Sequence, residues 1–443
     1  MITDIDIKQI QTFHYMKKLL YILLISGLSG SIYLNGQTIV NEGDDLIQAI
    51  TDAEAGSEIV LMSGVHVANS TEIPVSKSLT IRGDDNGAKP LVYLQEIGVS
   101  GTDINLTIEG IEFSGATFDT VTSIEDTTTL MGDYLINLTD TFVSGGEIII
   151  RDCIVRNLTR SVIRGDRADN TVESILVDDC IVFDLRGGSS YGPFRLKSRI
   201  LFDEFTIQNS TFHHIRGPLI DCQDMLEHEA VIEINHCTFY KWGGIITGKY
   251  LFDIQDNTQA SISILNSILG QTNNTETTDV FGFRLDTVAY KELSFSIMTP
   301  DFTLDASGYD DVEWDRSDYA ITDYEVNFTD AETSDFSIPH PDDLYEMSDE
   351  GTLIGDPRWS LAPDALDDVL GSDRFNIFPI PARDQVFIMN TGLGTLEIYN
   401  SLGVIVDRIE MRNASLFTLD ISGYHSGVYY IKLGNSSRTM VVY

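Results

Sequence analysis

The stretch IIIRDCIVRNLTR, running from Ile148 to Arg160, decides how this chain is built, because it returns. ILVDDCIVFDLR starts at Ile175, FTIQNSTFHHIR at Phe205, IEINHCTFYKWG at Ile232 and ISILNSILGQTN at Ile262. Each copy alternates apolar residues, reaches Asp, Asn or His, then Cys or Ser, and returns to apolar residues. The anchors Cys153, Cys180, Ser210, Cys237 and Ser267 are spaced by 27, 30, 27 and 30 residues. That period belongs to solenoid repeats. The alternation and the β-branched and aromatic content are those of strands, with no helical 3.6 spacing. No Asn-Gly or Asp-Gly turn joins neighbouring copies, so parallel coiling fits better than a meander.

The expected fold is therefore all-β: a right-handed, single-stranded parallel β-helix in which each rung adds one strand per sheet, about 4.8 Å from the last. Equivalent residues then stack. Asp152, Asp179, Asn209, His236 and Asn266 form a polar ladder at a turn, beside the small-residue ladder of the anchors. Ile154, Ile181, Phe212, Phe239 and Leu269 are read as an apolar stack whose offset drifts by one. Earlier rungs start at Ala55, Leu79 and Ile104. Residues 45–54 place Leu46, Ile47, Ile50 and Ala53 at helical spacing, which suits a helix capping the open end of the solenoid.

The remaining chain is organised around this middle. With 443 residues, two or three domains are expected. The 28 basic and 68 acidic residues leave a net charge of −40. Such a surface argues against nucleic-acid binding, which needs a basic face. Residues 1–15 read as an upstream start extension. Met16-Lys17-Lys18 and the apolar run Leu19–Leu28 read as a signal peptide over 16–36, too short an apolar run to span a bilayer. No later stretch is apolar enough to cross a membrane, so no transmembrane segment is expected after signal removal. The β-helix is assigned to 37–300. Residues 301–373 hold 22 acidic residues and two basic ones, Arg316 and Arg358, and read as an acidic closing segment, solvated loop rather than a cation site. From 374 to 443, short alternating strands with Gly-containing turns indicate a small β-sandwich.

Two resemblances sharpen this reading. The stretches DLIQAITDAEAGSEIVLMSGVH, SLTIRG, LTIEGIEFSG, NSTFHHIRGPLI and GTLIGDPRW resemble secreted pectin lyase-like β-helix polysaccharide lyases of the chondroitinase B and alginate lyase type. They are especially similar to exported relatives of these in Bacteroidetes-like bacteria. The likeness spans roughly residues 40–360, and many β-helices with other functions share such rungs. At the C-terminus, FPIPARD, IYNSLGVIV, LDISGYHSGVYYIKL and RTMVVY resemble the type IX secretion (Por) sorting domain. Ile380 stands where that family usually has Asn, and the lysine common near its end is missing. The resemblance implies dealings with the type IX secretion machinery and a secreted or outer-membrane surface location.

Chemistry is sought where charge is uneven. Residues 151–250 carry 12 basic and 14 acidic residues, against the acidic excess elsewhere. Arg156, Arg160, Arg164, Arg186, Arg195, Lys197, Arg199 and Arg216 cluster here. Arg160 falls seven residues after its anchor, and Arg186 and Arg216 fall six after theirs. Pairing with acids such as Asp166, Asp184, Asp203 and Asp221 accounts for them; so does a groove for an acidic polysaccharide, since guanidinium forks match carboxylate and sulfate. The lyase resemblance implies β-elimination from a uronic acid, possible calcium dependence and an acidic polysaccharide as partner. Non-catalytic glycan binding or adhesion on the same scaffold is the alternative. By charge and chemistry, Lys197 is the candidate base, since flanking Arg195 and Arg199 depress a lysine's pKa, and His213 is the second. Arg216 would assist the leaving oxygen. Arg160, Arg186, Arg195 and Arg199 would bind substrate, and Asp203 and Glu204 would hold the cation. The family's spaced acidic calcium ligands, followed by Lys and Arg one or two rungs on, are not matched by FRLKSR.

Four further features are weighed. His213 and His214 would diverge on a regular strand and so make poor joint metal ligands, as would His236-Cys237. A Cys153–Cys180 disulfide is sterically conceivable, but Ser–Cys exchange along the ladder favours buried thiols. Tyr191, Tyr240 and Trp242 are read either as sugar-stacking surfaces or as core.

Overall fold

The corners of the solenoid follow from a few polar side chains. Asp152, Asp179, Asn209, His236 and Asn266 all adopt left-handed backbone, with φ between 49° and 54°. Non-glycine residues rarely sit there; Asn, Asp and His are the types most tolerated. A second such column, absent from the sequence reading, lies four residues after each anchor: Asn157, Asp184, His214, Lys241 and Gln271. Each repeat thus bends twice, and the short strand between the bends belongs to the middle sheet.

The anchors close the first bend. Cys153, Cys180 and Cys237 direct Sγ to the carbonyl two residues back, at 3.1, 3.2 and 3.4 Å. Ser210, Ser267 and Ser296 do the same with Oγ, at 2.6, 2.7 and 2.9 Å. The serines add a second bond: their Oγ accepts from the amides of Cys180, Cys237 and Ser267 on the preceding rung. A thiol and a hydroxyl therefore fill one role, which is why they exchange. All four cysteines are buried and free, in keeping with the thiol stack.

This computed structural model describes residues 36–305 apart from 69–71, 85–87, 139–142, 166–169, 187–190, 197–200, 224–228, 244–248, 256–258, 273–279 and 286–287, then 324–359 apart from 339–343, 345–346 and 350–351, and 375–442 apart from 379–384, 391–393, 401–402, 412–416, 426 and 434–435. The start extension, the signal segment up to residue 35 and most of FPIPARD lie outside the described residues. The chain divides into two units, Met1–Asp323 and Tyr324–Tyr443.

Among the described residues of the first unit, parallel strands build three long sheets of ten, nine and nine strands. Sheet one runs from Gln37–Val40 to Tyr290–Ser294, sheet two from Val65–Ala68 to Ile297–Met298, and sheet three from Ile73–Val75 to Thr303–Asp305. Register never slips along the inward face of sheet one. Ile59, Ile81, Ile108, Ile150, Val177, Ile207, Ile234, Ile264 and Leu293 stack in one buried column. Phe194, Phe205, Phe212 and Phe239 fill the middle rungs, the last two stacked at 5.5 Å.

The expected apolar stack on sheet two needs correction. Its inward column is Val155, Val182, Phe212 and Phe239, all two residues after their anchors, with no drift. Ile154 and Ile181 pair instead with Thr211 and Thr238 on the opposite face. Two adjacent apolar residues follow each early anchor, and the second bend decides which one turns inward.

The helix Leu46–Asp52 is as expected, with Asp45 Oδ1 capping the Gln48 amide and Leu46 and Ile50 buried. An unexpected hairpin, Ala116–Asp119 with Ile124–Leu130, leaves the coil. Its Phe118 stacks on Tyr93 of sheet two at 4.5 Å, and its Glu125 binds Arg156 at 2.5 Å.

In the second unit, the described part of the acidic segment is folded rather than solvated loop. Phe336 is 1% exposed, between Phe328 and Trp359, and Leu344, Leu353 and Ile354 are buried. The C-terminal strands make a sandwich. One sheet joins Phe375–Phe378, Gln385–Asn390 and Phe417–Asp420; the other joins Gly394–Asn400, Ile405–Met411, Gly427–Leu433 and Ser436–Val442. Ile388, Ile398, Ile431 and Met440 share their core.

Candidate functional site

The basic cluster resolves into separate environments. Arg156 is engaged by acids: its Nε donates to Glu112 at 2.7 Å and its Nη1 to Glu125 at 2.5 Å. Burial works against its charge, but the two glutamates outweigh burial and hold the guanidinium above its ordinary range. Arg151 pairs with Asp178. For these two, pairing with acids is the right account.

Arg160 and Arg195 also meet acids, Asp133 at 3.7 Å and Asp221 at 3.4 Å, but together with Arg164 they meet aromatic rings as well. They stand around the turn into sheet three and on its strands Ser161–Arg164 and Phe194–Leu196. Arg164 and Arg195 are register partners on adjacent rungs. Between the three guanidinium groups lie two tyrosine rings. Arg164 is 5.1 Å and Arg160 5.5 Å from the centre of Tyr134, while Arg160 is 5.2 Å and Arg195 4.5 Å from that of Tyr191. Cation–ring contacts thus link Arg164, Tyr134, Arg160, Tyr191 and Arg195 into one cluster. The electron-rich ring faces attract the cations and separate like charges that would otherwise repel.

Polar contacts tie the cluster down. Arg160 Nη1 donates to the Tyr134 hydroxyl at 2.6 Å, with Asp133 at 3.7 Å, and Thr159 Oγ1 donates to that same Asp133. Burial pushes the Tyr134 phenol up, and the bond that Arg160 donates to Tyr134 raises the Arg160 guanidinium, so both keep their protons at any physiological pH. Arg195 Nη1 lies 3.4 Å from Asp221, its register partner on the next rung. Asp221 in turn pairs in register with Asp253, which holds Arg284, and Arg284 lies 4.6 Å from the centre of Tyr250. Gly192, next to Tyr191, meets the Pro218 carbonyl so closely that no Cβ fits there.

Arg186 and Arg216 are exposed and occupy adjacent rungs at the turn after sheet two, where the Arg216 amide bonds the Leu185 carbonyl. Arg160 does not join their column. The Arg186 amide bonds the Leu158 carbonyl, so Thr159 holds the matching place and Arg160 comes one residue later. The offset of seven against six in the sequence is therefore structural. Lys197 and Arg199 lie outside the described residues. Asp203 and Glu204 are exposed on sheet one, in the strand Leu201–Gln208, apart from the arginine cluster on sheet three. Among the described residues no three His, Cys, Asp or Glu side chains group as a metal site.

His213 is 2% exposed on sheet two, its ring stacked flat on Phe183 at 4.8 Å. The expectation that His213 and His214 diverge is overturned: left-handed backbone at His214 brings the two Nδ1 atoms to 2.8 Å. Trp242 is core, donating Nε1–H to the Gly270 carbonyl. Tyr134 was missed in the sequence, since it lies 26 residues before Arg160 and outside the aligned repeats.

Residues 65–215 match the family described as Domain of unknown function (DUF4957). No curated protein matches the chain. Among solved structures, the chain is similar to the PL6 family alginate lyase AlyGC, with 16% identity and a TM-score of 0.43. An arginine-to-alanine mutant of that enzyme gives 14% and 0.38. Each alignment covers 65% of this chain, and the chain spans 39% of the length of either structure. Among the described residues no helix is long and apolar enough to cross a membrane. Residues 376–442 match the family described as Secretion system C-terminal sorting domain, and the protein is accordingly a type IX secretion substrate, secreted or attached at the cell surface.

Proposed function

We propose that this exported β-helix protein acts on acidic, uronate-containing polysaccharide, which it engages along the turn between sheets two and three. The observation that carries the proposal is the cluster of Arg160, Arg164 and Arg195 with Tyr134 and Tyr191. Guanidinium forks bind carboxylates, and aromatic rims pack against sugar C–H faces. The exposed Arg186 and Arg216 extend the positive surface over the neighbouring turn.

The chemistry inferred for such a site is lyase-like β-elimination. An arginine neutralises the uronate carboxylate and so acidifies the proton on carbon 5. Lys197 takes that proton, the bond from carbon 4 to the glycosidic oxygen breaks, and a carbon 4–carbon 5 double bond forms. Arg216 assists the departing oxygen by hydrogen bonding, and water supplies its proton. His213 is the second candidate base. Calcium, if used, is assigned to Asp203 and Glu204.

Non-catalytic glycan binding is the second reading. It is favoured by His213, whose burial and contact with His214 draw it away from an open groove. One experiment separates the two. The purified protein is mixed with alginate, pectate, chondroitin sulfate and dermatan sulfate, with and without calcium, and the absorbance of unsaturated uronate is followed. A rise that Lys197→Ala abolishes supports elimination with that base. A rise that persists retains the lyase and discards Lys197. With no rise, co-sedimentation that is lost in Arg160→Ala and Arg195→Ala supports binding, and no co-sedimentation overturns both readings.

A further inference from the structure

We propose that His213 and His214 form a chelating site for a tetragonal divalent metal, with Cu²⁺ the best match, on the outer face of sheet two. The inference does not rest on the polysaccharide reading, and it competes with that reading only for His213, its second candidate base. Adjacent residues on a strand normally point to opposite faces. Here His214 sits at the second bend with φ of 52°, and its ring turns back toward that of His213. The two Nδ1 atoms are 2.8 Å apart and the rings nearly perpendicular, at 78°. Two imidazole nitrogens bound at about 2.0 Å and at right angles to each other are separated by about 2.8 Å, as cis ligands of a tetragonal centre. A tetrahedral ion needs about 3.3 Å and would force the pair apart. The present spacing is compatible with cis ligation of Cu²⁺ or Ni²⁺, and affinity order favours Cu²⁺.

The surroundings hold this geometry. His213 is kept in plane by the parallel Phe183 ring, and His214 by Tyr240, whose ring lies 5.8 Å away at 73°. Asp184 occupies the place of His214 one rung earlier, which adds negative charge beside the site. Lys241 occupies it one rung later, but its ammonium lies over the Tyr240 ring at 5.5 Å. Without metal, one imidazole donates its Nδ1 proton to the other. On metal binding that proton moves to Nε2 of the same ring, so both Nδ1 lone pairs face the ion and no net proton is released.

The test is titration of the full, untagged protein with Cu²⁺, followed by calorimetry and electron paramagnetic resonance. One equivalent is expected, with hyperfine structure from two imidazole nitrogens. His214→Asn keeps a residue that tolerates left-handed backbone, and His213→Phe keeps the stack on Phe183. Each is expected to weaken the site at least about tenfold and to remove one nitrogen from the spectrum. Fluorescence of the buried Trp242 checks that both variants fold. Wild-type affinity no tighter than that of the double variant, or a two-nitrogen signal surviving in either single variant, overturns the proposal.

Discussion

Replacing Ser210 by Ala tests the corner chemistry that organises the solenoid. Its hydroxyl is fully buried, donates to the Gln208 carbonyl at 2.6 Å and accepts from the Cys180 amide at 3.0 Å. The two losses differ. Gln208 O keeps a second donor, the Asp179 amide at 3.2 Å. The Cys180 amide loses its Oγ acceptor in the interior, and a buried donor deprived of its partner costs about 1–3 kcal/mol. Ser210→Ala should therefore destabilise by about 2 kcal/mol. Ser210→Cys restores the donation to Gln208, as at the other cysteine rungs, but offers the amide a poor acceptor, so about half that loss is expected. Cys180→Ser should lie within about 0.5 kcal/mol of wild type, because the new hydroxyl keeps the bond to Asp178 O and gives the Cys153 amide an acceptor. Denaturant unfolding followed through the Trp242 environment measures all three, and hydrogen exchange at the Cys180 amide localises the effect. Ser210→Ala at wild-type stability, or Ser210→Cys costlier than Ser210→Ala, would refute the reasoning.

Two further outcomes follow from the same geometry. Asn209→Val should cost more than Asn209→Gly by about 1–2 kcal/mol, because a β-branched residue resists left-handed backbone; both lose the bond from Asn209 to Asp178, and equal denaturation midpoints would refute this. In the sandwich, burial first and the neighbouring Asp407 second push the Tyr424 phenol well above its ordinary value. Above about pH 10 the unfolded chain releases this proton while the folded chain keeps it, so stability falls as pH rises. Tyr424→Phe should flatten that fall in denaturation measured from pH 9 to 11.

The repeats were legible because a solenoid writes its structure into a period. A residue that must bend left-handed, followed by one that must bond the carbonyl two places back, recurs at every rung as Asp, Asn or His and then Cys or Ser. The capping helix and the sandwich were legible from local patterns alone. The phase of sheet two was not. Ile154 and Val155 are equally apolar, and the bend at Asn157 that turns Val155 inward resembles any polar surface position in sequence.

The candidate site divides in the same way. Arginine clustering is a property of sequence, and so is the one-residue offset of Arg160. What each guanidinium meets is decided between rungs. Tyr134 and Tyr191 reach Arg160 across 26 and 31 residues of chain, and only closure of the coil brings them together. Glu125, on a hairpin outside the repeats, removes Arg156 from the cluster. The sequence by itself determined the period, the first bend and the sorting sandwich, since each rests on local backbone preference. Tertiary structure alone decided which charges are paired, because pairing depends on the register of one rung over the next, and it fixed the second bend at His214 that brings His213 and His214 together.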